Sequence, residues 1–243
     1  MEHDTGDRPD LSVVLPCFNE SASIPSILDR FAEAGAGVDF ELVLVDNGST
    51  DDSAEVMGRL APQYPFTRVV AVATNQGYGH GVFTGLQAAR APVLAWSHAD
   101  LQTDPADVFR GYTLFREVPD TDPVLIKGHR EGREFSARVV SWGMQAIATM
   151  LFRTILTEIN AQPKVFSAAL LQHVTQPPAD FNFDVYVLVT AKRRGWRIGT
   201  FPVEFPPRRH GQSNWSATWR SKISTIMRSL SYMVHLARSP DDA

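Results

Sequence analysis

Four apolar runs, each ending in polar residues, fill the first half of the chain and restrict the folds available to it. They end in "LPCFNE", "LVDNGSTDDS", "VATNQGYGHG" and "AWSHADLQTDP". Segments with the spacing of an amphipathic helix separate them; the first carries Ile24, Ile27, Leu28 and Phe31 on one side. The alternation predicts a mostly parallel sheet flanked by helices. Right-handed crossovers would bring the polar strand ends to one edge, where open α/β sheets bind ligands.

The composition is that of a globular protein. Its 243 residues, 44% of them hydrophobic, suffice for one large domain. The single cysteine, Cys17, excludes an intrachain disulfide, and the acidic N-terminus lacks the basic and apolar regions of a signal peptide. The run from Val139 to Phe152 is too short and too polar for a membrane span. We therefore expect a cytoplasmic protein without a transmembrane helix, with a disordered N-terminus over residues 1–10, a folded domain over 11–214 and an amphipathic helix and tail over 215–243.

The tail carries apolar residues three or four positions apart, from Trp215 to Ala237, and basic residues such as Arg228 and Arg238 on its other side. This spacing predicts an amphipathic helix. Such a helix lies either on an anionic bilayer or against the domain or a second copy of the chain. The first half of the chain is acidic and the second half basic. That asymmetry indicates either a metal or nucleotide side facing a phosphate or membrane side, or a chance partition of surface charge.

The stretch "SHADLQTDP", residues 97–105, holds the most specific chemistry. Asp100 and Gln102 alternate at the end of an apolar run and offer a carboxylate and an amide oxygen. These are hard donors suited to Mg²⁺ or Mn²⁺ that takes its other ligands from water and a diphosphate. His98 leads the cluster, and Asp104, before a proline, is predicted to begin a helix or turn.

Six motifs together carry a family resemblance: "VVLPCFNE", "LVLVDNGSTDDS", "NQGYGHG", "HADLQTDP", "KGHR" and "FPVEFPPRRHGQSN". Their order and spacing, from about Leu11 to Asn214, resemble inverting family 2 glycosyltransferases of the GT-A fold. The closest likeness is to the dolichol-phosphate mannose synthase branch, which transfers a sugar from a nucleotide-diphosphate sugar to a polyprenyl phosphate. The resemblance implies a divalent metal (Mn²⁺ or Mg²⁺), peripheral contact with the cytoplasmic face of a membrane, and no nucleic acid partner.

Roles for individual residues follow from this resemblance. Asp100, Gln102 and His98 match positions that hold the metal, and Arg130 with Arg138 matches an acceptor-phosphate site. Asp100, Arg208 and Asp184 are the candidate catalytic residues. The residues expected to bind the donor are Pro16, Asn19, Glu20, Asp46, Asn47, Gly77, Asp100, Gln102, Arg208 and Ser213.

The acceptor determines which of these roles the reaction needs. A phosphate acceptor is already an anion and needs alignment rather than a strong base. A hydroxyl acceptor needs a base, for which Asp184 is the first candidate, unless it is only the first charged residue of a helix. Asn160, Gln162 and Lys164 in "EINAQPKVF" are candidates to recognise sugar hydroxyls, or polar loop residues that cap turns.

Three positions depart from the family pattern. His98 and Asn47 stand where the family has aspartates, and Asn214 replaces a lysine. His98 either binds a softer metal such as Mn²⁺ or offers a proton to the diphosphate, and weakened metal affinity is expected. Three functions stay open: transfer to a polyprenyl phosphate, transfer to a soluble saccharide or other hydroxyl acceptor, and nucleotide-sugar binding by a regulatory protein that has lost activity.

Overall fold

A computed structural model of the chain describes residues 8–131, 135–204 and 219–238. Strands and helices alternate along it as the apolar runs predict, and two short 3-10 turns follow α2 and β6. The elements are β1 (Leu11–Cys17), α1 (Ile24–Ala34), β2 (Phe40–Asn47), α2 (Ser53–Leu60), β3 (Thr67–Val72), α3 (Tyr78–Ala88), β4 (Val93–Trp96), α4 (Pro105–Arg116), β5 (Val124–Glu131), α5 (Phe135–Phe152), β6 (Lys164–Ser167), α6 (Phe183–Arg193), β7 (Arg197–Glu204) and α7 (Trp219–Arg238).

The strands form one seven-stranded sheet in the order β3-β2-β1-β4-β6-β5-β7. Every neighbouring pair is parallel except the two that involve β6, which runs antiparallel between β4 and β5. The mostly parallel GT-A-like sheet expected from the sequence is therefore confirmed. The ends of the parallel strands and the start of β6 meet at one edge, which we call the ligand edge.

Helices cover both faces of the sheet. Helices α1, α2 and α4 pack on one face, and α3, α5, α6 and α7 pack on the other, each over a separate apolar core. Gly85 lets α3 approach β1 and β2, because a Cβ at this position would lie 2.3 Å from Val14 Cγ1. Parallel strands covered on both faces are buried along their length, which explains why β1 and β2 are almost continuously apolar.

Helix α7 fits the predicted amphipathic tail, and its apolar side packs against the domain. Met233 and Leu236 are buried in the core beneath α5 and α6, and Leu230 packs beside them. Packing on the domain, one of the two predicted alternatives, therefore accounts for the end of this stripe, whereas Met227 nearer its start is exposed. No helix within the described ranges has both the length and the apolar content needed to span a bilayer. Residues 1–7, 132–134, 205–218 and 239–243 lie outside the described residues, so the predicted domain limits stay predictions.

Candidate active site

The loop after β4, residues 97–104, is held in one shape by its own side chains. Asp100 Oδ1 accepts the Gln102 backbone N–H at 3.1 Å, and the hydroxyls of Ser97 and Thr103 bond at 2.9 Å beneath it. Leu101 between them has a φ of 59°, a left-handed conformation that costs a residue with a Cβ about 1–3 kcal/mol. Strained turns of this kind concentrate at ligand sites. The sequence motif therefore has a defined geometry at the ligand edge.

Asp104 begins α4, as predicted. Its side chain caps the helix by accepting the Ala106 N–H at 2.9 Å, and it forms an ion pair with Arg30 of α1 at 2.9 Å. Asp104 thus anchors the loop to two helices, whereas Asp100, with an exposed fraction of 7%, lies at the ligand edge. The two aspartates of this loop have separate tasks.

The predicted donor-binding residues of β1 and β2 lie together at the same edge. Asn19, with a φ of 58°, accepts the Thr50 N–H at 2.8 Å, and so joins the loop after β1 to the loop after β2. Asp46 is buried and accepts the Ser49 N–H at 3.0 Å. Pro16 and Glu20 are half-buried beside them, and Glu20 accepts the Ser23 hydroxyl at 2.9 Å. The structure brings these residues together; their contacts with a nucleotide stay predictions.

Asn47, where the family usually has an aspartate, has a local explanation. Its Nδ2 donates to the Gly77 carbonyl oxygen at 3.0 Å, while its Oδ1 is buried and has no hydrogen-bond partner among the residues that the structure describes. An aspartate would place a second acceptor against that carbonyl. Gly77 has a φ of 118°, and a Cβ there would lie 2.4 Å from the Ala179 carbonyl oxygen. The asparagine therefore holds the start of α3 against the sheet.

A network of buried polar groups lies directly beneath the loop. Lys164 Nζ forms an ion pair with Asp184 and lies 5.1 Å from the centroid of the Trp96 ring. Gln162 Nε2 donates to Asp184 Oδ1 and to the Tyr78 hydroxyl, both at 3.0 Å. Burial lowers the pKa of Lys164, although Asp184 opposes the change. Two residues that the sequence offered as sugar ligands are thus engaged with Asp184.

Lys127 is a second buried lysine on the same row of the sheet. Trp96, Lys164 and Lys127 are register partners across β4, β6 and β5. Lys127 Nζ donates to the Gly128 carbonyl oxygen at 3.0 Å, and it has no ion pair within the described part of the chain. Burial, reinforced by the charge of Lys164, lowers the pKa of Lys127 to about 7. The sequence reading missed this residue, although a lysine inside the apolar run "VLIKG" was a usable signal.

Arg130, predicted to bind the acceptor phosphate, forms an ion pair with Glu158. Its Nε lies 2.7 Å from Glu158 Oε2, and both side chains have an exposed fraction of 11%. Gln145 of α5 also donates to Glu158, at 3.4 Å. Glu158 has a φ of 46°, so a charged residue with a Cβ is held in a left-handed conformation at the ligand edge. Nothing in the sequence pattern singled out Glu158, because its pairing with Arg130 arises from the fold.

The remaining predicted residues lie beyond what the structure describes. Arg138 is in α5, but its side chain is outside the described atoms, and Arg208 and Ser213 fall within residues 205–218, which the structure does not describe. Within the described ranges, no three His, Cys, Asp or Glu side chains group as a metal site. A carboxylate, an amide oxygen and an imidazole on the single loop 97–104 nevertheless fit a divalent ion that takes its other ligands from a diphosphate and water.

Comparison with known proteins decides the family. The model of the family described as "Glycosyl transferase family 2" matches residues 12–174, which include every motif from β1 to β6. The chain belongs to this family. The predicted recognition and enzyme class are therefore confirmed: the protein is a glycosyltransferase.

Two relatives and one solved structure illustrate the likeness. An uncharacterized glycosyltransferase of Mycobacterium tuberculosis (strain ATCC 25618 / H37Rv) is 30% identical over 89% of this chain and 94% of the relative. The undecaprenyl-phosphate 4-deoxy-4-formamido-L-arabinose transferase of Pseudomonas paraeruginosa is 39% identical over 85% of this chain and 60% of its own length. Glucosyl-3-phosphoglycerate synthase from M. tuberculosis, solved with Mn²⁺, UDP and glucosyl-3-phosphoglycerate, matches with a TM-score of 0.72, 20% identity and coverage of 95% and 80% of the two chains. The last comparison supports the GT-A fold of this glycosyltransferase.

Proposed function

We propose that this glycosyltransferase transfers a sugar from a nucleotide-diphosphate sugar to a polyprenyl phosphate. The observation that carries the proposal is the position of Arg130. It lies on β5 at the ligand edge. In the sheet, only β6 separates β5 from β4, the strand that ends at the Asp100 loop. A cation on the far side of the donor loop suits an anionic acceptor, since a guanidinium binds a phosphate through paired hydrogen bonds. The similarity to an undecaprenyl-phosphate sugar transferase supports the same acceptor.

The proposed mechanism divides the work between the two sides of the ligand edge. Asp46 and Asn19 hold the nucleoside, and Asp100 and Gln102 hold the diphosphate with Mn²⁺ or Mg²⁺. The metal, when bound, neutralises charge on the departing diphosphate. Arg130 aligns the acceptor phosphate for direct attack at the anomeric carbon, with inversion. No strong base is needed, because the attacking oxygen is already an anion.

Asp184 has a supporting part in this proposal. It is almost fully buried, and its Oδ1 already accepts from Lys164 and from Gln162. This carboxylate already serves as the counter-charge of a buried ammonium, Lys164. We therefore propose that Asp184 supports the loop after β4 as part of the buried polar network, and that it does not transfer a proton.

Membrane contact, one of the alternatives that the sequence left open for the tail, is better supported on α5. Ile147 and Met150 of α5 and Ile155 just after it are exposed, Met150 by 79% and Ile155 by 76%. Met227 of the neighbouring α7 is also exposed, and Arg228 beside it and Arg153 after α5 offer positive charge. We propose that this apolar strip (Ile147, Met150, Ile155 and Met227) rests on an anionic membrane while the acceptor binds.

One observation favours a second candidate, transfer to a hydroxyl acceptor. Glu158 already neutralises Arg130, so a phosphate must compete with a carboxylate for the guanidinium. A soluble acceptor would also remove the need for membrane contact. The solved structure of glucosyl-3-phosphoglycerate synthase contains a soluble phosphorylated product on a similar fold.

The test is a panel of UDP-, GDP- and CDP-sugars with purified enzyme, Mn²⁺ and undecaprenyl phosphate in detergent. Formation of a glycolipid with one donor supports the main proposal. Donor hydrolysis or saccharide products without glycolipid support the hydroxyl acceptor. Calorimetric binding of a donor without any turnover, even for a His98→Asp variant, would overturn the first proposal and leave a nucleotide-binding protein.

A further inference from the structure

Two aromatic rings, Phe181 and Tyr78, lead from the surface to His98 in the loop after β4. The rings of Phe181 and Tyr78 are stacked, with centroids 5.1 Å apart and planes 15° apart. On the inner side, the Tyr78 ring lies 5.7 Å from the imidazole of His98, tilted by 42°. Tyr78 therefore packs against the one metal-loop residue that departs from the family pattern.

The Tyr78 ring has little freedom, because its hydroxyl is hydrogen-bonded to two other segments of the chain. It accepts from Trp96 Nε1 at 3.2 Å and from Gln162 Nε2 at 3.0 Å. Burial, with the nearby charge of Asp184, raises the pKa of Tyr78 well above 10, so the phenol keeps its proton. The hydroxyl thus joins α3 to the end of β4 and to the segment before β6.

The backbone on either side of Tyr78 is also fixed. The segment 178–181, which carries Phe181, lies against the start of α3, and the His80 N–H donates to the Ala179 carbonyl oxygen at 3.0 Å. A Cβ at Gly79 would lie 2.3 Å from the Pro178 carbonyl oxygen. The backbone at Gly79 is therefore too close to Pro178 for any side chain. Tyr78 is fixed both by its hydroxyl and by the backbone next to it.

We propose that Tyr78 is a positioning residue for His98, holding the imidazole in the orientation in which it meets the donor diphosphate and its metal. The inference rests on the proposed function. It explains how this chain can use a histidine where the family has an aspartate: Tyr78 orients the imidazole. An imidazole is larger than a carboxylate and rotates about two bonds, so it needs a packing surface to be pre-organised. A shape-fixed aromatic ring supplies that surface, and pre-organisation raises affinity by lowering the entropy lost on binding.

The test is a double-mutant cycle read by calorimetric binding of UDP in the presence of Mn²⁺. Tyr78→Leu removes the ring, and we expect it to weaken binding about tenfold, within the range of coupling between residues in contact. Tyr78→Phe keeps the ring and loses the hydroxyl, and we expect a smaller loss. In a His98→Ala background, Tyr78→Leu should have no further effect. Equal losses from Tyr78→Leu in both backgrounds would overturn the proposal.

A matched control and a second measurement complete the test. Tyr64→Leu makes the same change at a ring bonded to Asp29, away from the ligand edge, and should leave UDP binding unchanged. If Tyr78→Leu does not fold, NMR of the parent protein provides the test. The imidazole proton signals of His98 are assigned from their loss in His98→Gln. We expect them to show a ring-current shift, and we expect Tyr78→Phe to preserve that shift. Imidazole protons at random-coil shifts would contradict the proposal. A parent that binds no UDP refutes the proposed function instead.

Discussion

Arg130 and Glu158 form a nearly buried ion pair at the ligand edge, with 2.7 Å between Nε and Oε2. Removing one partner leaves the other charge desolvated, so we expect Glu158→Gln to lower the free energy of unfolding by about 2–5 kcal/mol in urea denaturation. The exposed pair Arg197–Asp122 is the control, and Asp122→Asn there should cost less than about 1 kcal/mol. Equal losses at the two sites would show that the inner pair has no special role.

Lys127 should make stability depend on alkaline pH. Its pKa is lowered to about 7 in the folded chain, from an ordinary value near 10.5, so between these values the unfolded state binds more protons. The free energy of unfolding should therefore rise from pH 7 towards pH 10, by at most about 1.4 kcal/mol per pH unit from this group. Lys127→Met should lose that part of the slope in urea denaturation at pH 7 and pH 9. An unchanged slope would mean that the lysine titrates normally.

Asp100 and Asp104 provide a matched pair on one loop. Asp100→Asn removes the carboxylate proposed to hold the metal, and we expect Mn²⁺-dependent UDP binding to weaken by about 10-fold or more in calorimetry. Asp104→Asn makes the same change at a helix cap, where asparagine serves as well as aspartate, and should leave binding nearly unchanged. Similar effects from both would place the metal site elsewhere.

Two helical glycines should respond in opposite directions to alanine. A Cβ at Gly85 would meet Val14 Cγ1 at 2.3 Å, so Gly85→Ala should destabilise the fold by about 1–3 kcal/mol through overpacking. Gly58 in α2 has nothing within 4 Å of its Cβ position, and Gly58→Ala should stabilise by about 0.5–1 kcal/mol. Thermal unfolding of both variants measures the contrast, and a stabilised Gly85→Ala would contradict the close approach of α3.

The apolar strip on α5 predicts a membrane phenotype. Met150→Glu and Ile155→Glu should reduce cosedimentation with phosphatidylcholine–phosphatidylglycerol vesicles, because each places a charge on the surface proposed to meet the bilayer. The control is Val69→Glu. Val69 is a partly exposed apolar residue on the edge strand β3, and this variant should bind vesicles as the parent protein does. Equal vesicle binding by all variants would remove the strip from the proposal.

The sequence predicted the first four strands and their helices well, because apolar runs and polar strand ends depend on local pattern, but it did not predict β5 or β6. It also identified the start of α4 at Asp104. The pairing of Arg130 with Glu158, and of Lys164 with Asp184, was beyond its reach. These contacts join residues far apart in the chain, and only the reversal of β6 brings them together.

The tail shows the other limit. The periodicity from Trp215 to Ala237 predicted an amphipathic helix but not which surface covers its apolar side. Helix α7 uses that side against the core at Met233 and Leu236, whereas Met227 of the same helix and Ile147 and Met150 of α5 are exposed. Periodicity shows which side of a helix is apolar, whereas what packs against that side depends on tertiary structure.

The antiparallel course of β6 brings its first residue to the ligand edge, where the parallel strands end. Lys164 begins this strand opposite Trp96, the last residue of β4, and pairs there with Asp184. A parallel strand in the same place would begin at the opposite edge of the sheet. The reversal therefore allows a side chain at the start of a strand to contribute to the ligand edge.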